Sequence, residues 1–91
     1  MKDAKSEMRE WILARATQHP SLLKWTPERF RELVTKIQSG VHYELRNRDE
    51  NSFFQDLAER SRREGFSWDS VSDDYIRETV DLFAFALVHM S

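Results

Sequence analysis

The residues that come closest to a metal-binding motif are a histidine and a glutamate two positions apart. His42 and Glu44 flank Tyr43, and both residue types are ligands of zinc. A zinc site takes three or four protein ligands, but the sequence has no cysteine, and His19 and His89 are far from this pair along the chain. We therefore predict no metal site and no cofactor, with His42 and Glu44 on the outer side of a connecting segment.

Three carboxylates with helical spacing could do acid–base chemistry. Asp74, Glu78 and Asp81 follow one another at i, i+4 and i+7, and paired carboxylates can share a proton, bind Mg²⁺ or act as acid and base. No calcium-binding loop motif accompanies them, and carboxylates near the start of a helix ordinarily complement its dipole. We predict no catalytic residue and no enzyme, and we interpret the three carboxylates as an acidic surface for a basic partner.

An arginine cluster could instead bind the phosphates of a nucleic acid. Its members are Arg60, Arg62 and Arg63, with Arg46 and Arg48 expected to lie close by. The overall charge does not favour this function, because 14 basic side chains face 16 acidic ones and give a formal charge of −2. Nucleic-acid binders usually present a strongly basic face. Nucleic-acid binding is therefore the alternative hypothesis.

The composition predicts a single all-α domain over residues 1–91. A chain of 91 residues is the size of one domain, and a hydrophobic content of 40% is typical of a folded protein. The absence of cysteine excludes a disulfide scaffold and a cysteine nucleophile. With only two glycines and two prolines, many tight β-turns are not expected. We predict a bundle of four, or five, short helices.

No targeting or membrane segment is expected. The first seven residues carry charges of both signs and have no apolar core. The longest apolar run, Leu82–Val88, is about a third of the ~20 residues that a membrane-spanning helix needs. We therefore predict a cytoplasmic protein with no membrane partner.

Two helices are predicted before residue 41. The first covers about Ser6 to Gln18 and ends before Pro20. The second begins with Thr26 as N-cap and ends at Gly40. Their inward residues are predicted from helical spacing: Met8, Trp11, Ile12 and Ala16 in the first helix, and Phe30, Leu33, Val34 and Ile37 in the second.

Residues 41–51 have both strand-like and helix-like spacing, and we predict a helical or irregular segment because a lone strand would have no partner. The third helix is predicted from about Ser52 to Glu64. Ser52 and Gln55 match a capping box at its start, and Gly65 and Phe66 match a Schellman ending. Its predicted inward residues are Phe53 or Phe54, Leu57, Ala58 and Ser61.

The fourth helix is predicted to begin at Ser72 and carries more apolar residues than one face can hold. Its predicted inward residues are Ile76, Val80, Phe83 and Leu87. Leu82, Phe85 and Val88 are then left to point elsewhere. Because a helix that is apolar on all sides is buried by something, this helix is predicted to lie either at the centre of the bundle or at an interface with another chain.

Trp25 raises the same question in a connecting segment. It precedes the cap of the second helix, where it can form a hydrophobic staple with Phe30. If it is exposed instead, it is a candidate anchor for a partner protein, because tryptophan is enriched in interface hot spots.

Together these patterns predict a non-enzymatic protein that binds another protein, with a homodimer left open. The expected class is a small regulator, adaptor or inhibitor, such as phages or immunity loci encode. The predicted partner-binding residues are Trp25, Leu82 and Phe85 as apolar contacts, and Asp74, Glu78 and Asp81 as groups that attract a basic surface.

Overall fold

The computed structural model describes residues 3–16 and 18–90, and its elements are helical throughout. The elements are, in chain order, α1 (Ala4–Ala16), a first 3₁₀ turn (Pro20–Lys24), α2 (Pro27–Gln38), α3 (Arg48–Arg63), a second 3₁₀ turn (Trp68–Ser70) and α4 (Asp73–Met90). No strand occurs among the described residues. The all-α bundle predicted from the sequence is therefore confirmed.

Helix α2 forms as predicted because its start and stop signals are local. The Thr26 hydroxyl accepts a hydrogen bond from the backbone N–H of Arg29 at 3.3 Å and so satisfies a free donor of the first turn. Gly40 adopts a φ of +86°, which closes the helix with a Schellman turn. The four predicted inward residues are all buried: Phe30, Leu33, Val34 and Ile37.

Helix α3 begins four residues before the predicted start. Asn47 is its N-cap, and its side-chain oxygen accepts hydrogen bonds from the N–H groups of Asp49 at 2.9 Å and Glu50 at 3.3 Å. The capping box at Ser52 and Gln55 is therefore wrong, because Ser52 already lies inside the helix. The ambiguous segment divides in two, since residues 41–47 form an irregular connection and residues 48–51 belong to α3.

The C-terminal end of α3 is the predicted Schellman turn. Gly65 has a φ of +70°, a conformation that side chains with a Cβ rarely adopt. The N–H of Phe66 donates to the carbonyl of Ser61 at 2.8 Å, and the N–H of Gly65 donates to the carbonyl of Arg62 at 3.1 Å. These two bonds satisfy carbonyls that would otherwise lack partners.

Two adjacent phenylalanines of α3 hold the core together. Phe53 packs against Phe83 of α4 with ring centroids 5.5 Å apart, and Phe54 packs against Phe30 of α2 at 5.3 Å. The sequence spacing offered Phe53 or Phe54 as the inward residue, and both are buried. Since neighbouring residues of a helix point in directions about 100° apart, α3 must be covered on two sides.

Helix α4 packs against α1, α2 and the first 3₁₀ turn. Its start is capped, because the Ser72 hydroxyl accepts from the N–H of Tyr75 at 3.3 Å. The buried residues are Ile76, Thr79, Phe83 and Ala86, whereas Val80 and Leu87 are half-buried. The inward face is therefore rotated toward Thr79 and Ala86 relative to the prediction.

No helix within the described residues is both long and apolar enough to cross a membrane.

His19 is a titratable group inside the aromatic core. Its ring centroid lies 5.2 Å from that of Phe53, and only 7% of the residue is exposed. Burial lowers the pKa of His19 below its ordinary value of 6.5, with the charges of Asp49 and Asp56 opposing this shift and that of Arg15 adding to it. The fold therefore favours the neutral imidazole.

We expect the stability of the protein to fall as the pH decreases below about 6.5. Between the lowered folded pKa and the unfolded pKa, the unfolded chain binds more protons, so the free energy of unfolding decreases as the pH falls and levels off below the folded pKa. Urea unfolding between about pH 7.5 and pH 5 measures the effect.

The variant His19→Phe keeps a ring on Phe53 and is expected to lose this part of the pH dependence. The exposed His42 provides the comparison, because His42→Phe removes an imidazole from the surface rather than from the core. A pH profile that is the same in wild type and His19→Phe would show that His19 does not carry it.

Candidate functional site

Four residues of α4 form an exposed strip that we call the outer face: Asp74, Asp81, Phe85 and Val88. Their spacing of seven, four and three residues keeps them on one side of a helix with 3.6 residues per turn. The N-terminal half carries Asp74 and Asp81 with the exposed Arg77 between them and is acidic by one net charge, whereas Phe85 and Val88 make its C-terminal half apolar. Asp74, Asp81 and Phe85 are sequence-predicted partner contacts, and the structure places them together.

The apolar half of the outer face is open to solvent. Phe85 is 59% exposed and Val88 is 71% exposed, although their neighbours Phe83 and Ala86 are buried. The Phe85 ring packs on the His89 ring with centroids 4.2 Å apart. The two rings lie in the last two turns of α4.

Glu78 does not belong to the free acidic surface. Its Oε1 lies 2.5 Å from Nη2 of Arg9 in α1, and both side chains are about half exposed. The predicted role of Glu78 in attracting a basic partner is therefore weakened, because a cation of the same chain already neutralises it. Asp74 and Asp81 remain as the exposed carboxylates of the outer face.

Leu82 lies at the edge of the outer face and is half-buried. Leu82 follows Glu78 by four residues and Tyr75 by seven and therefore shares their side of α4, where Glu78 and Tyr75 contact Arg9 and Lys5 of α1. The Tyr75 hydroxyl donates to the carbonyl of Lys5 at 2.8 Å, and burial raises the pKa of Tyr75. Leu82 can contribute to a contact only through its exposed edge.

Trp25 does not form an exposed anchor. It is 8% exposed, with its ring centroid 4.7 Å from that of Phe54 and the Arg29 guanidinium 4.8 Å above the ring. Phe30 packs on the same Phe54 ring. Trp25 is buried because α3 supplies an aromatic partner from a distant part of the sequence, so we remove it from the proposed surface.

No family model matches the chain, and no curated protein or solved structure matches it either.

The arginines do not form one basic face. Arg48 begins α3 and Arg60 lies three turns later, about 18 Å along the helix axis, so the expectation that Arg46 and Arg48 lie near Arg60, Arg62 and Arg63 is wrong. The reason is the early start of α3, which places these two groups at opposite ends of one helix.

The C-terminal arginines of α3 also share their surroundings with acidic groups. Arg60 and Arg63 line a cavity of about 310 Å³ together with Arg15, and Asp56 and Glu59 line the same cavity. Arg62 borders a different cavity, where Asp69 is present. Such balanced charge is unlike the continuous basic stripe that phosphate backbones require.

The histidine and glutamate of the 41–47 connection are surface groups. His42 Nε2 lies 3.6 Å from Glu44 Oε1, and both side chains are largely exposed. Among the described residues, no group of three or more histidine and carboxylate side chains is arranged to bind a metal ion.

Proposed function

We propose that this protein acts without catalysis, by binding another protein through the outer face of α4. The observation that supports the proposal is the exposure of Phe85 and Val88 on the same side of a helix whose other sides pack against the bundle. Single exposed apolar residues are ordinary on protein surfaces. Two large ones on adjacent turns, one of them aromatic, match the composition of interface centres.

The charges of the outer face indicate the chemistry of the partner. Asp74 and Asp81 are exposed on the turns that precede Phe85, and their carboxylates attract cations and repel acidic surfaces. A complementary segment therefore carries an apolar side chain for Phe85 and a lysine or arginine for the carboxylates. Charge pairs at the rim of an interface chiefly accelerate encounter and select partners, whereas the apolar centre supplies most of the affinity.

An amphipathic helix fits this description. A helix that packs on α4 can present an apolar stripe to Phe85 and Val88 while its flanking basic side chains reach the carboxylates. Docking of this kind would cover the surface of the partner, which is how a small regulator, adaptor or inhibitor can act. Since the exposed apolar strip is short, we expect weak to moderate binding, with a Kd of about 10 μM to 1 mM.

The proposal can be tested with a defined probe. An amphipathic peptide of about two heptads, built from leucine and lysine, should shift the amide NMR signals of α4 around Phe85. A second peptide of the same pattern, with glutamate in place of lysine, should bind at least about 10-fold more weakly, because the carboxylates repel it.

Two variants separate specific from general binding. Phe85→Ser should weaken the lysine peptide at least about 10-fold without unfolding the protein, because this side chain is mostly exposed. Val41→Ser is the matched control, since Val41 is 51% exposed in the connection between α2 and α3. Equal binding of the acidic peptide, or signal shifts centred on α3, would contradict the proposal.

A further inference from the structure

We infer that the outer face of α4 pairs with the same face of a second copy of this chain, with the two helices antiparallel. This inference rests on the proposed function, because the pairing would regulate access to the same surface. Asp81, Phe85 and His89 follow one another at intervals of four residues. They form one ridge of the helix, which has an acidic group at one end, an aromatic ring in the middle and an imidazole at the other end.

The ridge is complementary to a copy of itself that runs in the opposite direction. When two copies pack antiparallel about a two-fold axis at Phe85, each residue lies level with the residue of the other copy that is equally far from Phe85 in the opposite direction. Phe85 then meets the Phe85 of the other copy, and Asp81 is level with its His89. An imidazole N–H donates to a carboxylate whether the ring is neutral or protonated, so each end of the ridge supplies what the other end needs.

In this pair the two ridges lie opposite each other across the two-fold axis. Packed helices have axes 8–10 Å apart, a gap that side chains of this size can fill. The Phe85 ring stands on the His89 ring at 4.2 Å, so both groups already project from the same side of α4. Leu82 and Val88 flank the ridge, and these two positions are also level with each other in the antiparallel pair.

The parallel arrangement is disfavoured by the segregation of charge along α4. In a parallel pair, Asp74 and Asp81 would face the same carboxylates of the other copy, and like charges at close range repel. The antiparallel pair moves the acidic halves apart and brings the two apolar halves together. The partner that fits this distribution of charge is therefore a second copy whose α4 runs antiparallel to the first.

The pairing would regulate the surface that binds a partner. Phe85 is the centre of both contacts, so a dimer hides it and only the monomer is free to bind. A contact of one ridge buries little area, which is typical of weak and transient association. We expect a dimer with a Kd of about 100 μM to 1 mM.

Sedimentation equilibrium tests the inference on the purified chain alone, between about 10 μM and 1 mM. The average mass should rise from 10.9 kDa toward twice that value. Phe85→Asp should remain monomeric across the range, and the control Val41→Asp should associate like the wild type. A monomer at every concentration, or equal association of Phe85→Asp, would overturn the inference.

A charge exchange tests the antiparallel order. His89→Asp places two carboxylates opposite each other and should weaken association about 3- to 10-fold, as should Asp81→Lys. The double variant with both changes restores an opposite-charge pair in the antiparallel dimer and should associate at least as well as the wild type. A double variant weaker than either single one would show a parallel or unrelated contact.

The two proposals can fail separately. A chain that stays monomeric at 1 mM and still binds the lysine peptide at α4 overturns the pairing and leaves the proposed function in place. A chain that dimerises through Phe85 and ignores the lysine peptide overturns the partner-binding function. Peptide titrations at about 20 μM protein report mainly on the monomer, because most chains are then monomeric over the expected range of the dimer Kd.

Discussion

Replacing Trp68 with alanine should destabilise the protein by about 3–5 kcal/mol. Trp68 is completely buried, and its ring contacts those of Phe66 at 4.9 Å, Phe30 at 5.5 Å and Tyr75 at 6.2 Å. The missing indole would leave a cavity between α2, α4 and the second 3₁₀ turn. Because a domain of this size is stable by only about 5–15 kcal/mol, the variant should lose a large fraction of its free energy of unfolding.

The variant Trp68→Phe should cost much less, within about 1.5 kcal/mol of the wild type. The indole N–H is buried and finds no acceptor among the described residues. An unpaired buried donor costs about 1–3 kcal/mol, so its removal offsets much of the penalty for the smaller ring.

Urea unfolding of wild type, Trp68→Phe and Trp68→Ala gives the comparison directly. The half-buried Trp11 provides a control, because Trp11→Ala should cost less than Trp68→Ala. If Trp68→Phe proved as unstable as Trp68→Ala, the indole N–H would have to make a stabilising bond in solution.

The parts of the fold that could be predicted are those specified by neighbouring residues. Thr26, Pro27 and Gly40 act within one turn of the ends of α2, and the inward stripe between them depends only on helical spacing. The Schellman turn at Gly65 is specified in the same local way. These predictions did not require knowledge of any other element.

The predicted start of α3 at Ser52 is four residues late because a second favourable N-cap, Asn47, lies upstream of it. Asn47 and Ser52 are both favourable N-cap residues, and each precedes a helix-compatible stretch. Asn47 caps the helix because Asp49 and Glu50 then occupy the first turn, where negative charge is favoured. The four extra residues of helix place Arg48 at the opposite end of α3 from the arginines near Arg62.

The candidate site was partly predictable for the same reason. Spacing alone placed Phe85 away from the buried side of α4, and its exposure confirms this. Trp25 and Glu78 depended on other elements, since Phe54 covers the first and Arg9 pairs with the second. Contacts between distant parts of a chain leave no mark on local spacing, so the burial of Trp25 could not be read from its neighbours.

Gln38 also makes contacts that local spacing does not reveal. Its replacement by alanine should lower the free energy of unfolding by about 2–4 kcal/mol. Its side-chain N–H groups donate to the Ser61 hydroxyl at 2.5 Å and to the Phe66 carbonyl at 2.7 Å. Its side-chain oxygen accepts from the backbone N–H of Trp68 at 3.3 Å. One amide thus joins the end of α2 to α3 and to the loop that leads into the second 3₁₀ turn.

Two further variants distinguish the hydrogen bonds of Gln38 from its packing. Gln38→Met keeps the length of the side chain but can neither donate to the Phe66 carbonyl nor accept strongly from Trp68, so it should be nearly as unstable as Gln38→Ala. Gln38→Glu keeps the acceptor for Trp68 but turns a carboxylate toward the Phe66 carbonyl, and two acceptors repel each other.

The stability of Gln38→Glu should approach that of the wild type as the pH falls below about 5. Protonation converts the carboxylate into a group that can donate to the Phe66 carbonyl, so the folded state binds the proton more tightly than the unfolded chain and its pKa is raised. The free energy of unfolding, relative to wild type at the same pH, therefore rises as the pH falls through the raised pKa.

Urea unfolding at about pH 7 and pH 4.5 measures this difference, with Glu59→Gln on the exposed side of α3 as a control for general charge effects. If Gln38→Glu matched the wild type at pH 7, the bond to the Phe66 carbonyl would contribute nothing to stability, and the loop would have to be held by the contacts of Trp68 alone.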